Sequence, residues 1–78
     1  MKELRSTKIK DLRFNQDREY CFTHFFNGRN VKVIIYPYGR SYKVWAKIVG
    51  NVMPSCDFPV SANQTYGSVL DVISEICS

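Results

Sequence analysis

No run of apolar residues in this chain approaches the roughly 18 that a membrane-crossing helix needs, which excludes a helical span. The opening MKELRSTKIKDLRF lacks the apolar core of a secretory signal, so cytoplasmic residence is expected. Cysteine is scarce and odd in number: Cys21, Cys56 and Cys77 stand far apart, with no CxxC pair. That pattern suggests neither a zinc ribbon nor a disulfide framework, and reads as free thiols serving as small apolar residues. Histidine occurs once, at His24, and there is no phosphate-cradling glycine loop and no metal-ligand spacing. In a strand, Cys21 and His24 point to opposite faces, which argues against a Cys–His nucleophile pair. Asp71 and Glu75 are the close carboxylate pair on one predicted face, at i and i+4 on the outer side of a helix, where solvation explains them. A chain this short also has little volume for a pocket that excludes water. A non-enzymatic protein with no cofactor and no metal is expected.

Basic residues are absent from the C-terminal part. All eleven Lys and Arg lie between Lys2 and Lys47, against four acids there, a local charge of +7; beyond Lys47 only Asp57, Asp71 and Glu75 remain, −3. A split of this kind suggests two faces of opposite potential. Ordinary solvation is the alternative, since the net charge is only +4.

What is present points to one small folded domain over residues 1–78, with 45% hydrophobic and 14% aromatic residues, too apolar for a disordered chain. At this size little surface is buried, so marginal stability is expected unless a partner or oligomer adds to it. Residues 1–18 are polar and basic, with Leu4, Ile9, Leu12 and Phe14 scattered among charges, and read as an arm packing partly on the domain. Residues 19–49 read as a three-stranded antiparallel meander. Asn27-Gly28 is the preferred type I′ hairpin pair, placing Phe26 opposite Arg29, His24 opposite Val31, Phe22 opposite Val33 and Tyr20 opposite Ile35. PYGR, with Pro37 and Gly39, predicts a second turn. Taken as a four-residue loop, it sets Val33 opposite Val44 and Val31 opposite Ala46. One apolar side results: Tyr20, Phe22, Val31, Val33, Ile35, Val44, Ala46 and Ile48. Residues 50–63 form a loop in which Pro59 confines any strand around Phe58 and Val60 to an edge.

Residues 64–77 read as a helix with Thr65 as N-cap and a stripe of Tyr66, Val69, Leu70, Ile73, Ile76 and Cys77. Gly67, Ser68, Asp71, Ser74 and Glu75 make its opposite side, and Gly67 weakens the first turn by about 1 kcal/mol relative to Ala. The stripe needs an apolar surface, and the valine side of the meander supplies one. The fold class is therefore α+β: a three-stranded meander, with a fourth edge strand as an option, packed on one C-terminal helix.

Covering the valine side leaves Cys21, Thr23, Phe25, Asn30, Lys32, Ile34, Tyr36, Lys43, Trp45 and Lys47 on the other, with Lys32 expected opposite Trp45 and Ile34 opposite Lys43. A solvated sheet face is usually plainly polar; this one mixes lysines with aromatic rings. Tyr38 and Arg40 extend the theme at the second turn. The leading reading is a nucleic-acid or nucleoprotein interface made of Lys32, Tyr36, Tyr38, Arg40, Lys43, Trp45 and Lys47, helped by the basic arm. The order of three strands and a helix over roughly residues 20–77 resembles that of plant AP2-type and integrase arm-binding domains. The resemblance rests on order alone and implies a sheet laid into the major groove of DNA. The alternative is an inhibitor or adaptor of the phage or mobile-element type, docking on a host protein complex and similar to anti-CRISPR proteins in size and class. A homodimer burying the aromatic face or the Phe58 edge stays open, as does an arm folded back over Phe25, Ile34 and Trp45.

Overall fold

The computed structural model describes residues 5–50, 52 and 54–76. A short 3-10 turn at Ile9–Asp11 is followed by strands β1 (Tyr20–Phe26), β2 (Arg29–Tyr38), β3 (Ser41–Ile48) and β4 (Cys56–Val60), then helix α1 (Tyr66–Ile76). The strands form one antiparallel sheet in the order β1-β2-β3-β4, and with α1 they make an α+β fold. Among the described residues no helix is long and apolar enough to cross a membrane. Leu4, Asn51 and Cys77 lie outside the described residues.

The first hairpin has the expected register, from Phe26 opposite Arg29 to Tyr20 opposite Ile35. Asn27 and Gly28 take φ values of 55° and 76°, the positive pair that a type I′ turn requires. The second turn is tighter than the four-residue loop expected from PYGR. β2 continues through Pro37 to Tyr38, and Gly39-Arg40 alone reverses the chain. Gly39 has φ 64° and Arg40 does not share the positive region, as in a type II′ turn with glycine first.

Proline is tolerated in β2 for a simple reason. Backbone groups in an antiparallel strand alternate between its two neighbours. Pro37 has its nitrogen turned toward β1, which begins only at Tyr20, opposite Ile35. No ladder bond is lost. The register therefore shifts by two residues: Val31 faces Ile48, Val33 faces Ala46 and Ile35 faces Val44. An even shift leaves every side chain on its expected face.

The core is that face. Val31, Val33, Ile35, Val44, Ala46 and Ile48 of the sheet are buried with Val60, and Val69 and Ile73 of α1 close over them. β4 is the expected edge strand, and Pro59 is paired with Lys43 in it. Thr65 caps α1 as expected, its Oγ1 accepting from Ser68 N at 3.2 Å.

The N-terminal arm departs most from expectation. Its described part does not lie over Phe25, Ile34 and Trp45 but on the opposite face, beside α1. Ile9 is fully buried and Leu12 nearly so, both within the main core. Ile9 N donates to Gln64 O at 2.8 Å, and Lys10 N to Ala62 O at 3.2 Å. The carbonyls of Thr7 and Arg5 accept from Tyr66 N and Gly67 N, at 2.8 and 3.0 Å. They thus satisfy donors that a helix start otherwise leaves orphaned.

Gly67 is accordingly buried rather than on the outer side of the helix. A side chain there would meet Arg5 Cβ and the Arg5 carbonyl at 3.0 Å. The glycine that weakens the helix in isolation is the point where the arm crosses it. Phe14 then stacks on Tyr42 at 5.5 Å and meets Tyr20 edge-on at 6.4 Å, and Tyr66 contacts both Tyr20 and Phe22.

Because Ile9 fills the core, Ile9→Ala is expected to destabilise the domain by about 2–5 kcal/mol, as large-to-small substitutions in cores do. That is a large share of the stability of so short a chain. Urea unfolding followed by circular dichroism measures it, and a solvated arm would show no change.

Candidate nucleic-acid interface

Alternation along the strands puts the remaining residues on the face away from α1 and the arm. Reading across the sheet, Thr23, Lys32 and Lys47 form one row; Cys21, Ile34, Trp45 and Asp57 the next; Tyr36, Lys43 and Pro59 the next; Tyr38 and Ser41 the last. Of the seven candidate residues, Lys32, Tyr36, Lys43, Trp45 and Lys47 lie within this face, with Tyr38 and Arg40 at its turn end. Lys32, Tyr38 and Arg40 are exposed; Tyr36, Lys43, Trp45 and Lys47 are half-buried.

The register shift rearranges neighbours within the face. Lys32 lies opposite Lys47, not Trp45, and Trp45 lies opposite Ile34 on one side and Asp57 on the other. Facing lysines disfavour strand pairing by up to about 1 kcal/mol. Lys43 faces Tyr36, and its Nζ sits 4.4 Å from the centre of the Tyr38 ring, a cation–π contact. Lys32, Lys43 and Arg40 make no ion pair among the described residues. Lys32, Trp45, Lys47, Val49 and Gly50 line an open depression of about 310 Å³. Phe25, 68% exposed, and Val49, 58% exposed, give this end of the face an apolar border.

The charges do not divide between two faces as the chain order suggested. Asp57 stands on the lysine face, paired with Trp45. On the other side Arg5 meets Asp71 of α1 at 3.1 Å, in a surface ion pair worth little. Arg5 pairs with α1, and the burial of Ile9 and Leu12 holds the described part of the arm against the core side of the sheet, away from the lysine face.

Most of the site was legible as a side of the meander, but Val49 and Asp57 were not among the candidates. Val49 lies just past β3, where its N–H donates to Asn30 O at 2.8 Å, and it continues the alternation of Lys43, Trp45 and Lys47, a signal that could have found it. Asp57 joins the face only through the β3–β4 register, which no turn motif announces. Comparison with family models, with curated proteins and with solved structures finds no match for this chain.

Two titratable side chains, Cys21 and His24, have displaced pKa values. Among the described residues no three His, Cys, Asp or Glu side chains gather to hold a metal ion. The Cys21 Sγ lies 3.9 Å from Glu19 Oε1, and desolvation, then the Glu19 charge, raise its pKa, disfavouring the thiolate. His24 is half-buried on the α1 side and stacks on Phe26 at 6.1 Å. Its Nε2 is shut off from solvent with no hydrogen-bond partner. Burial first, and the Arg5 charge second, hold its pKa below the usual value.

Between a depressed folded pKa and the unfolded value of about 6.5, the unfolded chain binds more protons. Stability is therefore expected to fall as pH drops from neutrality through that window, and the loss to level off below the folded pKa. Thermal unfolding between pH 8 and pH 5 should show this decline, and His24→Phe should flatten it.

Proposed function

We propose that this protein is a small non-enzymatic binding protein whose open sheet face takes nucleic acid in single-stranded form. The observation that carries the reading is Trp45 set among Lys32, Lys43 and Lys47 on a face that neither α1 nor the described part of the arm covers. Lysines spaced along paired strands suit a phosphate backbone, and an indole offers a stacking platform that tolerates any base. Tyr36, Tyr38 and Arg40 continue the track toward the second turn. The width of the sheet favours a single strand over a duplex. Four strands at about 4.8 Å spacing span about 14 Å before side chains are added, against a major groove of about 12 Å.

A second reading draws on the apolar border. Phe25 and Val49 are the kind of exposed residues a protein partner desolvates, which suits an inhibitor or adaptor docking on a protein complex.

Titration with a labelled single-stranded oligonucleotide at low salt tests the first reading. Binding is expected to quench the fluorescence of Trp45, the sole tryptophan. Affinity should fall with salt at a log–log slope of about −2, as three phosphate contacts give. Trp45→Ala should weaken binding about tenfold or more, and Lys43→Glu should weaken it without unfolding the domain. No retention of single- or double-stranded DNA or RNA at low salt would rule the reading out. A protein partner that stays bound after nuclease treatment supports the second.

A further inference from the structure

The two edges of the sheet are unlike. On β4 the residues whose backbone groups turn away from β3 are Asp57 and Pro59, one an acid and the other without an N–H. Both are devices that discourage another strand from adding to an edge. β1 has neither. It is seven residues long, YCFTHFF, with no proline, no glycine and no Asp, Glu, Lys or Arg. In a two-residue hairpin the pair flanking the turn is hydrogen-bonded, here Phe26 with Arg29, so the even-numbered residues of β1 bond to β2. The N–H and C=O groups of Cys21, Thr23 and Phe25 then point outward, and all three residues are exposed. Among the described residues none of these groups has a backbone partner.

We infer that β1 is a self-association edge, and that its occupant is β1 of a second copy of this chain, paired antiparallel about a two-fold axis through Thr23. In that register Thr23 exchanges both bonds with its own equivalent, and Cys21 exchanges both with Phe25 of the second copy. Every outward group of the row is satisfied.

Self-complementarity favours a second copy over another strand. Pairing about a two-fold axis brings like residues together, and in a chain of net charge +4 most strands would set like charges near one another. β1 carries none above the range where His24 protonates, and a Thr–Thr pair at the axis is favourable. The exposed Phe25 ring gains cross-strand neighbours. An axis normal to the sheet also keeps both α1 helices on one side and both lysine faces on the other, giving a continuous face of twice the width. The edge pairing stands whether or not that face binds nucleic acid.

Sedimentation of the full chain over a concentration series reaching the millimolar range tests this. The mass is expected to double as concentration rises, and amide exchange at Cys21, Thr23 and Phe25 to slow in parallel. Thr23→Pro deletes the outward N–H in each copy without touching the β2 ladder, and should raise the dissociation constant about tenfold or more. Thr23→Lys sets two ammonium groups at the axis and should act the same way. It places its side chain in solvent, so it carries the test if the proline variant fails to fold. A chain that stays monomeric throughout would overturn the inference, as would a dimer that Thr23→Lys leaves equally tight.

Discussion

One helix cannot cover a four-stranded sheet. An eleven-residue helix is about 16 Å long and about 10 Å across with its side chains, and this sheet is about 14 Å wide between its outer strands. Val69 and Ile73 of α1 therefore close only part of the valine side. The remainder falls to the N-terminal arm, whose Ile9 and Leu12 complete the core and whose Phe14 joins the ring cluster with Tyr20 and Tyr42. The arm is locked in by the same bonds that start the helix, since Thr7 and Arg5 lend their carbonyls to Tyr66 and Gly67. Gly67 is what lets the two backbones come so close.

That closure fixes what remains open. With arm and helix on one side, the side chains that alternate away from them have no cover among the described residues, and they are lysines interleaved with Trp45, Tyr36 and Ile34. Setting Lys32 directly against Lys47 is a local cost, and it gathers positive charge beside an aromatic ring. Asp57 bounds the patch along β4, while at the end of the strands beyond Lys32 and Lys47 it grades into apolar surface at Phe25 and Val49. The face is thus narrow in its chemistry and broad in its shape, which is the physical ground for preferring a flexible single strand as ligand.

How much of this could be read along the chain depended on local chemistry. Asn27-Gly28 determines a turn by its own backbone preferences, so the first register was legible to the residue. Pro37 misled, because a missing N–H reads as the end of a strand. Only the knowledge that β1 has already ended there shows that nothing is lost. The candidate residues survived the error since the shift was even, but their neighbours did not: Trp45 gained Ile34 and Asp57 in place of Lys32. The arm was the least legible part. Its apolar residues follow neither a period of two nor one of 3.6, because its described part is irregular chain with turns and a 3-10 turn at Ile9–Asp11.

By itself the sequence determined which side chains share a face, where the first hairpin turns, where the helix is capped, and that lysines and aromatic rings alternate with valines. Each of these follows from short-range geometry, the two-residue period of a strand and the φ preferences of single residues. Tertiary structure alone decided which face the described part of the arm would seal and why a glycine stands in the first turn of the helix. Those outcomes turn on contacts between segments more than fifty residues apart, such as Arg5 with Gly67 and Ile9 with Gln64. They are set by the volume left to fill over the sheet, a quantity that no local pattern carries.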